Sequence, residues 1–193
     1  MGRVLRPDYP IVTERLLLRP LDPVADVDAV HAYQSLPDAV RYVPYGPRSR
    51  ADVAENLASS RIRSTFETPG HTISLAVVLR ESGALIGDVM LVWSSEVHRR
   101  GEIGYILHPD HHGHGYVTEA CEALLHIAFE QLELHRVVAR IDERNAASAA
   151  VLRRLGMREE ARLVENEWFK GEWTTELDFA VLAREWRERR AAG

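Results

Sequence analysis

The chain has 193 residues, 46% of them apolar and 27% charged, with a net charge of −5. That balance describes a globular protein of one-domain size; the lack of a long basic run disfavours a main role in nucleic-acid binding, and no apolar stretch is long enough to cross a bilayer. One cysteine rules out an internal disulfide framework and fits a reducing cytoplasm, and Met1 to Pro7 lack the apolar core of a signal peptide, so a cytoplasmic location is expected.

Thr13 to Leu21 reads as a first strand that ends at Pro20. Asp22 to about Leu36 reads as a helix, with Val24, Val27, Ala29, Val30 and Tyr33 near helical spacing. Pro37, Pro44, Gly46 and Pro47 punctuate a loop carrying Tyr42 and Tyr45. Ser49 is placed to cap a second helix with Val53, Leu57, Ser60 and Ile62 near its inner face. Three strands follow: Thr72 to Leu79, Leu85 to Trp93 and Glu102 to Leu107. Glu81-Ser82-Gly83 turns between the first two, and Ser94 to Arg100 links the second to the third.

A helix is expected from Tyr116 to about Leu132. Val117, Ala120, Cys121, Leu124, Leu125, Ala128 and Leu132 form its buried stripe. Arg136 to Ile141 is a short strand. Asn145 caps a helix that stops at Leu155-Gly156, with glycine in the usual terminating position. Strands near Arg158 to Glu167 and Glu172 to Leu182 turn through Phe169-Lys170-Gly171, and Arg184 to Arg190 reads as a charged terminal helix. The order predicts an α+β fold, a mixed sheet with helices against its faces. No repeat or linker divides the chain, so 1–193 reads as a single domain.

The stretch richest in chemistry runs from Glu102 to Tyr116. An apolar strand enters a turn containing His108, His111, His112, Gly113, His114 and Gly115, and a long amphipathic helix starts directly after it. The first turn of a helix has N–H groups without intrahelical acceptors, and its dipole adds partial positive charge. Glycines let a ligand approach the backbone closely, so the turn is a candidate phosphate cradle. The plainer alternative is an ordinary strand-to-helix turn. A P-loop needs Lys and Ser or Thr after its last glycine, where this chain has Tyr116 and Val117; a dinucleotide fingerprint needs three glycines, where this turn has two. The four histidines sit on one turn without a helical pair, so no metal site is expected.

Glu102 to Glu119 resembles the acyl-CoA-binding core motif of the GNAT superfamily, the GCN5-related N-acetyltransferases. Asn145-Ala146-Ala147-Ser148, with Leu152 and Leu155-Gly156-Met157, is similar to that family's second CoA motif. Thr13 to Leu21, and Gly171-Glu172-Trp173 through Trp186, resemble the RimJ/RimL branch of ribosomal-protein N-terminal acetyltransferases. The resemblance covers about Thr13 to Trp186 and implies a GNAT fold, a mixed and mostly antiparallel sheet of about seven strands flanked by helices. Two residues depart from the pattern. Asp110 stands where many members carry Gln or Arg, and Leu152 stands where many carry a proton-donating Tyr.

The resemblance implies an acyl-CoA-dependent N-acyltransferase that moves acetyl from acetyl-CoA to a primary amine, either a protein N-terminus or a small molecule. Pantetheine would pair with the strand at Ile106, Leu107 and His108, and an N–H near Leu107 would polarise the thioester carbonyl. Backbone amides of His112, Gly113, His114, Gly115, Tyr116 and Val117 would hold the pyrophosphate. Glu102 is the candidate base, directly or through water; its plainer alternative is a strand-end carboxylate paired with Arg99 or Arg100. Ser148 is the candidate proton donor to the thiolate and also binds cofactor; its plainer alternative is a first-turn helix serine. Asn145 would cap its helix and reach pantetheine.

Cys121, in the middle of the apolar stripe, reads as an inert buried thiol, so direct attack in a ternary complex is expected. Tyr42, Tyr45, Trp93, Trp168 and Phe169 are candidates to surround the acceptor. Rival readings are a longer acyl-CoA such as succinyl-CoA, a non-catalytic CoA-binding regulatory module, and a nucleotide-binding domain. Homodimers are common among relatives of this family, and the sequence neither supports nor excludes one.

Overall fold

The computed structural model describes residues 4–59 and 64–192. In chain order the elements are β1 (Ile11–Val12), β2 (Leu16–Pro20), α1 (Val27–Gln34), α2 (Arg50–Ala58), β3 (Thr72–Leu79), β4 (Leu85–Ser95), β5 (Arg100–Leu107), α3 (Tyr116–His126), β6 (Arg136–Asp142), α4 (Ala146–Arg154), β7 (Arg158–Phe169), β8 (Glu172–Leu182) and α5 (Ala183–Ala192). The strands form one sheet in the order β1-β2-β3-β4-β5-β6-β8-β7. Only β5 and β6 run parallel; the other neighbours are antiparallel.

The sheet is the expected α+β arrangement, with eight strands rather than about seven. The extra strand, β1, has two residues, too few for any periodicity to register. The first predicted strand begins later than expected. Thr13 N–H donates to the Leu16 carbonyl at 3.0 Å, so Thr13 to Arg15 form a tight turn between β1 and β2. Helix α1 also starts late. The Asp22 carboxylate accepts the N–H groups of Val24 and Ala25 at 2.8 Å each, a local turn that competes with helix.

Side chains alternate across each strand, so each face of the sheet has its own core. The larger lies under α3, α4 and α5 and includes Leu18, Ile73, Leu91, Ile103, Leu124, Phe129 and Phe179. The smaller lies under α1 and α2 and includes Val30, Tyr33, Val53, Val78 and Ile106. Ser49 caps α2 with a reciprocal capping box to Asp52. The predicted inner-face residues Ser60 and Ile62 lie outside the described residues.

The long central helix stays α-helical to His126 and then widens into a π turn over residues 127–131, where Leu132 N–H reaches the Ile127 carbonyl at 2.9 Å. The widened turn buries Ile127, Ala128 and Phe129 in succession, which a regular apolar stripe does not do. Leu124 is fully buried in the larger core, so Leu124→Ala should cost about 3 kcal/mol in a urea titration. Val24→Ala, at a site 82% exposed, should shift the same midpoint by less than ~0.5 kcal/mol.

Candidate active site

The parallel ladder between β5 and β6 is short. It pairs Arg100 with Arg136, Gly101 with Val137 and Glu102 with Val138, and then stops. On the other side β5 stays paired with β4 as far as Leu107. His108 N–H donates to the Ile86 carbonyl at 2.8 Å, which fixes the alternation along β5. Ile106 and His108 therefore turn their N–H groups to β4, while Tyr105 and Leu107 turn theirs into the gap between β5 and β6. Of Ile106, Leu107 and His108, Leu107 alone presents its N–H to the gap, and Tyr105 presents its own beside it.

A cradle closes one end of the gap. Residues Pro109–His111 form a 3-10 turn, with the His108 ring accepting Asp110 N–H at 3.2 Å. Gly113 and Gly115 follow at φ of +79° and +80°, a left-handed conformation that strains any residue with a Cβ. Gly115 is the N-cap of α3. Gly113, His114, Gly115, Tyr116 and Val117 have no backbone acceptor for their N–H groups among the described residues. His112 does not fit the expected donor set, because its N–H is spent on the Pro109 carbonyl at 3.0 Å. Its ring Nε2 instead donates to the Leu107 carbonyl at 3.1 Å.

The other histidines have local partners as well. His114 stacks on Tyr116, and His108 meets His111 edge to face. Among the described residues no three potential metal ligands converge.

The cradle is tied down from behind by residues outside the predicted set. Arg15 donates to the His114 carbonyl at 2.8 Å and to Glu119 at 2.8 Å, and Thr13 donates to the same carboxylate at 2.6 Å. Holding the His114 carbonyl fixes the 114–115 peptide, whose N–H points the opposite way. These ties, with desolvation opposing them, leave the Glu119 carboxyl below its usual range.

The far side of the gap is the first turn of α4. Asn145 Oδ1 accepts Ser148 N–H at 3.0 Å, the expected cap. Its Nδ2 has no partner among the described residues. Ser148 is buried, and its Oγ lies 2.5 Å from the Tyr105 hydroxyl. Cys121 is fully buried in the α3 stripe, and burial pushes its thiol pKa up, so it is a core side chain.

Glu102 projects from the opposite face of β5, the face shared with Ile106. Its ionic partner is Arg140 of β6 at 3.6 Å, not Arg99 or Arg100. Arg140 also approaches Asp178 of β8 at 3.7 Å. Glu176 stands beside them, its carboxyl pKa raised by burial and by the charges of Asp178, Glu167 and Glu102. Asp178 Oδ1 is buried without a hydrogen-bond partner. Several carboxylates thus share a single guanidinium on this face. Nearby, a cavity of about 620 Å³ is lined by Tyr45, Glu167, Trp168, Phe169 and Lys170. Lys170 closes its rim by donating to the Val40 carbonyl at 2.5 Å.

Of the predicted acceptor aromatics, Tyr45, Trp168 and Phe169 line this cavity, and Tyr42 donates to the Arg144 carbonyl at 3.3 Å. Trp93 does not join them: it packs against the larger core, on the other face of the sheet.

A family model described as an acetyltransferase (GNAT) domain matches residues 15–158. The uncharacterised N-acetyltransferase YnaD of Bacillus subtilis is 30% identical over 176 residues, which is 91% of this chain and 98% of the relative. A crystal structure of a GNAT-family acetyltransferase from Bacillus anthracis superposes with a TM-score of 0.79 at 29% identity, covering 90% of this chain and 98% of the other. The spermidine N(1)-acetyltransferase of Escherichia coli K12 is 24% identical and covers 88% of this chain and 87% of its own length. The chain belongs to the GNAT acetyltransferase family.

Members of that family use acetyl-CoA, and this acetyltransferase has the fold that goes with it. On the side of β4 that faces α1 it also carries a half-buried acid that the sequence did not single out. This acid, Asp88 of β4, accepts the Tyr33 hydroxyl at 2.5 Å. Burial pushes its carboxyl up to about 6, against the opposing pull of the Tyr33 hydroxyl and Arg48.

Two outcomes follow for the acetyltransferase. Gly115→Val should raise the dissociation constant of CoA more than about tenfold by calorimetry, since it strains the left-handed N-cap and moves the amides. Asp88 has a raised pKa in the fold, so its stabilising contribution is complete below the ordinary carboxylate pKa and is lost as pH rises through about 6. Asp88→Asn should therefore melt higher than the parent at pH 8, by roughly 1–2 kcal/mol, with the gap closing towards pH 4.

Proposed function

We propose that this acetyltransferase moves acetyl from acetyl-CoA to a primary amine on a cationic acceptor, by direct attack in a ternary complex. One observation carries the reading: the β5 backbone beyond Glu102 lacks a strand partner towards β6, with a helix N-terminus at one end of the gap and a carboxylate at the other. Pantetheine is an extended chain with amide groups, suited to an unpaired strand edge that presents the N–H groups of Tyr105 and Leu107. Its pyrophosphate then falls at the amides of Gly113 to Val117. The Leu107 N–H is oriented to stabilise the oxyanion of the tetrahedral intermediate.

An alkylamine is mostly protonated near neutral pH, and Glu102 removes its proton directly or through water. The neutral nitrogen attacks the thioester carbonyl carbon, the C–S bond breaks, and the sulfur takes the electron pair. Ser148 supplies the proton that converts the thiolate to free thiol. Asn145 holds Ser148 in place and offers Nδ2 to pantetheine.

The acceptor class follows from charge. Glu102, Glu176, Asp178 and Glu167 outnumber Arg140 and Lys170 on the acceptor face, and aromatic rings line the adjoining cavity. Carboxylates and ring faces both favour a cation. The opening and closing segments resemble the RimJ/RimL branch, whereas the likeness to spermidine acetyltransferase points to polyamines. A cationic amine satisfies both.

The test is thiol release from acetyl-CoA against spermidine, N-terminal peptides of basic and acidic sequence, and an aminoglycoside. Release with the cationic amines and not with the acidic peptide is expected. CoA binding without thiol release on any amine would sink the reading, and faster turnover with succinyl-CoA would overturn the donor. Glu102→Gln should lower kcat on the order of 10²-fold, most at low pH where the amine is most protonated, and leave CoA affinity unchanged.

A further inference from the structure

We propose that Tyr105 is a positioning residue for the transferase reaction, holding Ser148 so that its hydroxyl proton faces the departing sulfur. The inference rests on the reading of Ser148 as the proton donor and adds a second residue, from another element, to that step. Tyr105 lies on β5 where the ladder to β6 has ended, and Ser148 lies in the first turn of α4. They are 43 residues apart in the chain, and their hydroxyls meet at 2.5 Å across the inner face of the gap.

Either hydroxyl can donate in that contact, and we take Tyr105 as the donor to Oγ. Its N–H is used by Asn145, and its Oγ has no partner other than Tyr105 among the described residues. The Tyr105 hydroxyl also lies 3.3 Å from the Ser148 carbonyl, a longer contact to an oxygen that the helix itself engages. A serine hydroxyl has one proton. If that proton pointed at Tyr105, it would face away from the gap and serve nothing there. With Tyr105 donating to Oγ, the serine proton is free to turn outward.

When the C–S bond breaks, the electron pair stays on sulfur and the Ser148 proton moves to it. As that proton moves, partial negative charge builds on Oγ, and the Tyr105 O–H donates its hydrogen bond to it. The proton lost by the attacking amine returns through solvent to Oγ, so the cycle closes with amide and free thiol. Burial of Tyr105 raises its pKa above the ordinary phenol value, which keeps it a donor at working pH. The ring packs against the larger core, so the hydroxyl has a fixed origin.

The experiment is a double-mutant cycle on the full chain with Tyr105→Phe, Ser148→Ala and the pair, reading kcat, the CoA dissociation constant and the melting temperature. Phe keeps the ring in its core contacts. Tyr105→Phe should lose about tenfold in kcat, as expected for a hydrogen bond to a developing charge, with CoA affinity within about twofold of the parent. Ser148→Ala should lose about 10²-fold, and the double variant should be no slower than Ser148→Ala alone.

If Tyr105→Phe turns over at the parental rate while Ser148→Ala is slow, the positioning role is overturned and the Ser148 reading stands. Full activity in Ser148→Ala removes the proton-donor reading itself. A tenfold loss repeated in the Ser148→Ala background gives Tyr105 an independent role and overturns the proposal. Weakened CoA binding and a lowered melting point with unchanged kcat make Tyr105 a brace for the fold and overturn it too.

Discussion

Beyond Glu102 the β5 backbone has a strand on one side and a gap on the other, and that asymmetry shapes the rest of the site. Peptide N–H groups inside a protein need acceptors, and an unpaired edge is a ready template for an extended chain. On the β4 side the ladder runs the full length of β5 and holds that edge rigid. On the β6 side the strand turns away to make seven register pairs with β8. The helix that crosses over from β5 to β6 starts at the mouth of the gap and puts its positive end there. Strand edge, helix terminus and gap are therefore one feature produced by a single parallel junction.

The two faces of the sheet divide the chemistry between them. On the α3 and α4 side the gap meets two hydroxyls and an amide: Tyr105, Ser148 and the Asn145 cap. On the α1 and α2 side it meets carboxylates: Glu102, Glu176 and Asp178 around Arg140. Strand alternation makes this division unavoidable, because Glu102 and Tyr105 are an odd number of residues apart on one strand. A thioester lying in the gap would have a proton acceptor towards one face and proton donors towards the other.

Much of this was legible in the sequence where the signal is local. Paired glycines between a strand and an amphipathic helix announce a cradle, and Asn145 and Ser49 announce caps, because the atoms involved lie within a few residues of one another. The losses came where bonds reach across the chain. The tight turn at Thr13 to Arg15 looked like strand because its value lies in gripping Glu119, more than a hundred residues away. His112 is a local exception: its N–H goes to Pro109 three residues back, in a 3-10 turn that has too few residues to show a periodicity. Trp93 was placed at the acceptor because aromatic type carries no information about which face of the sheet it occupies.

The sequence by itself determined the order of the elements other than β1, the α+β class, the glycine turn, and the caps that start α2 and α4. These follow from periodicity and short-range hydrogen bonding, both of which act within one or two turns of chain. The tertiary structure alone decided where the β5–β6 ladder stops, which β5 amides face the gap, that Tyr105 meets Ser148, and that Arg140 rather than a neighbouring arginine answers Glu102. Each of these joins residues from different strands or from a strand and a helix. Their distances are set by register and packing, which no window of sequence contains.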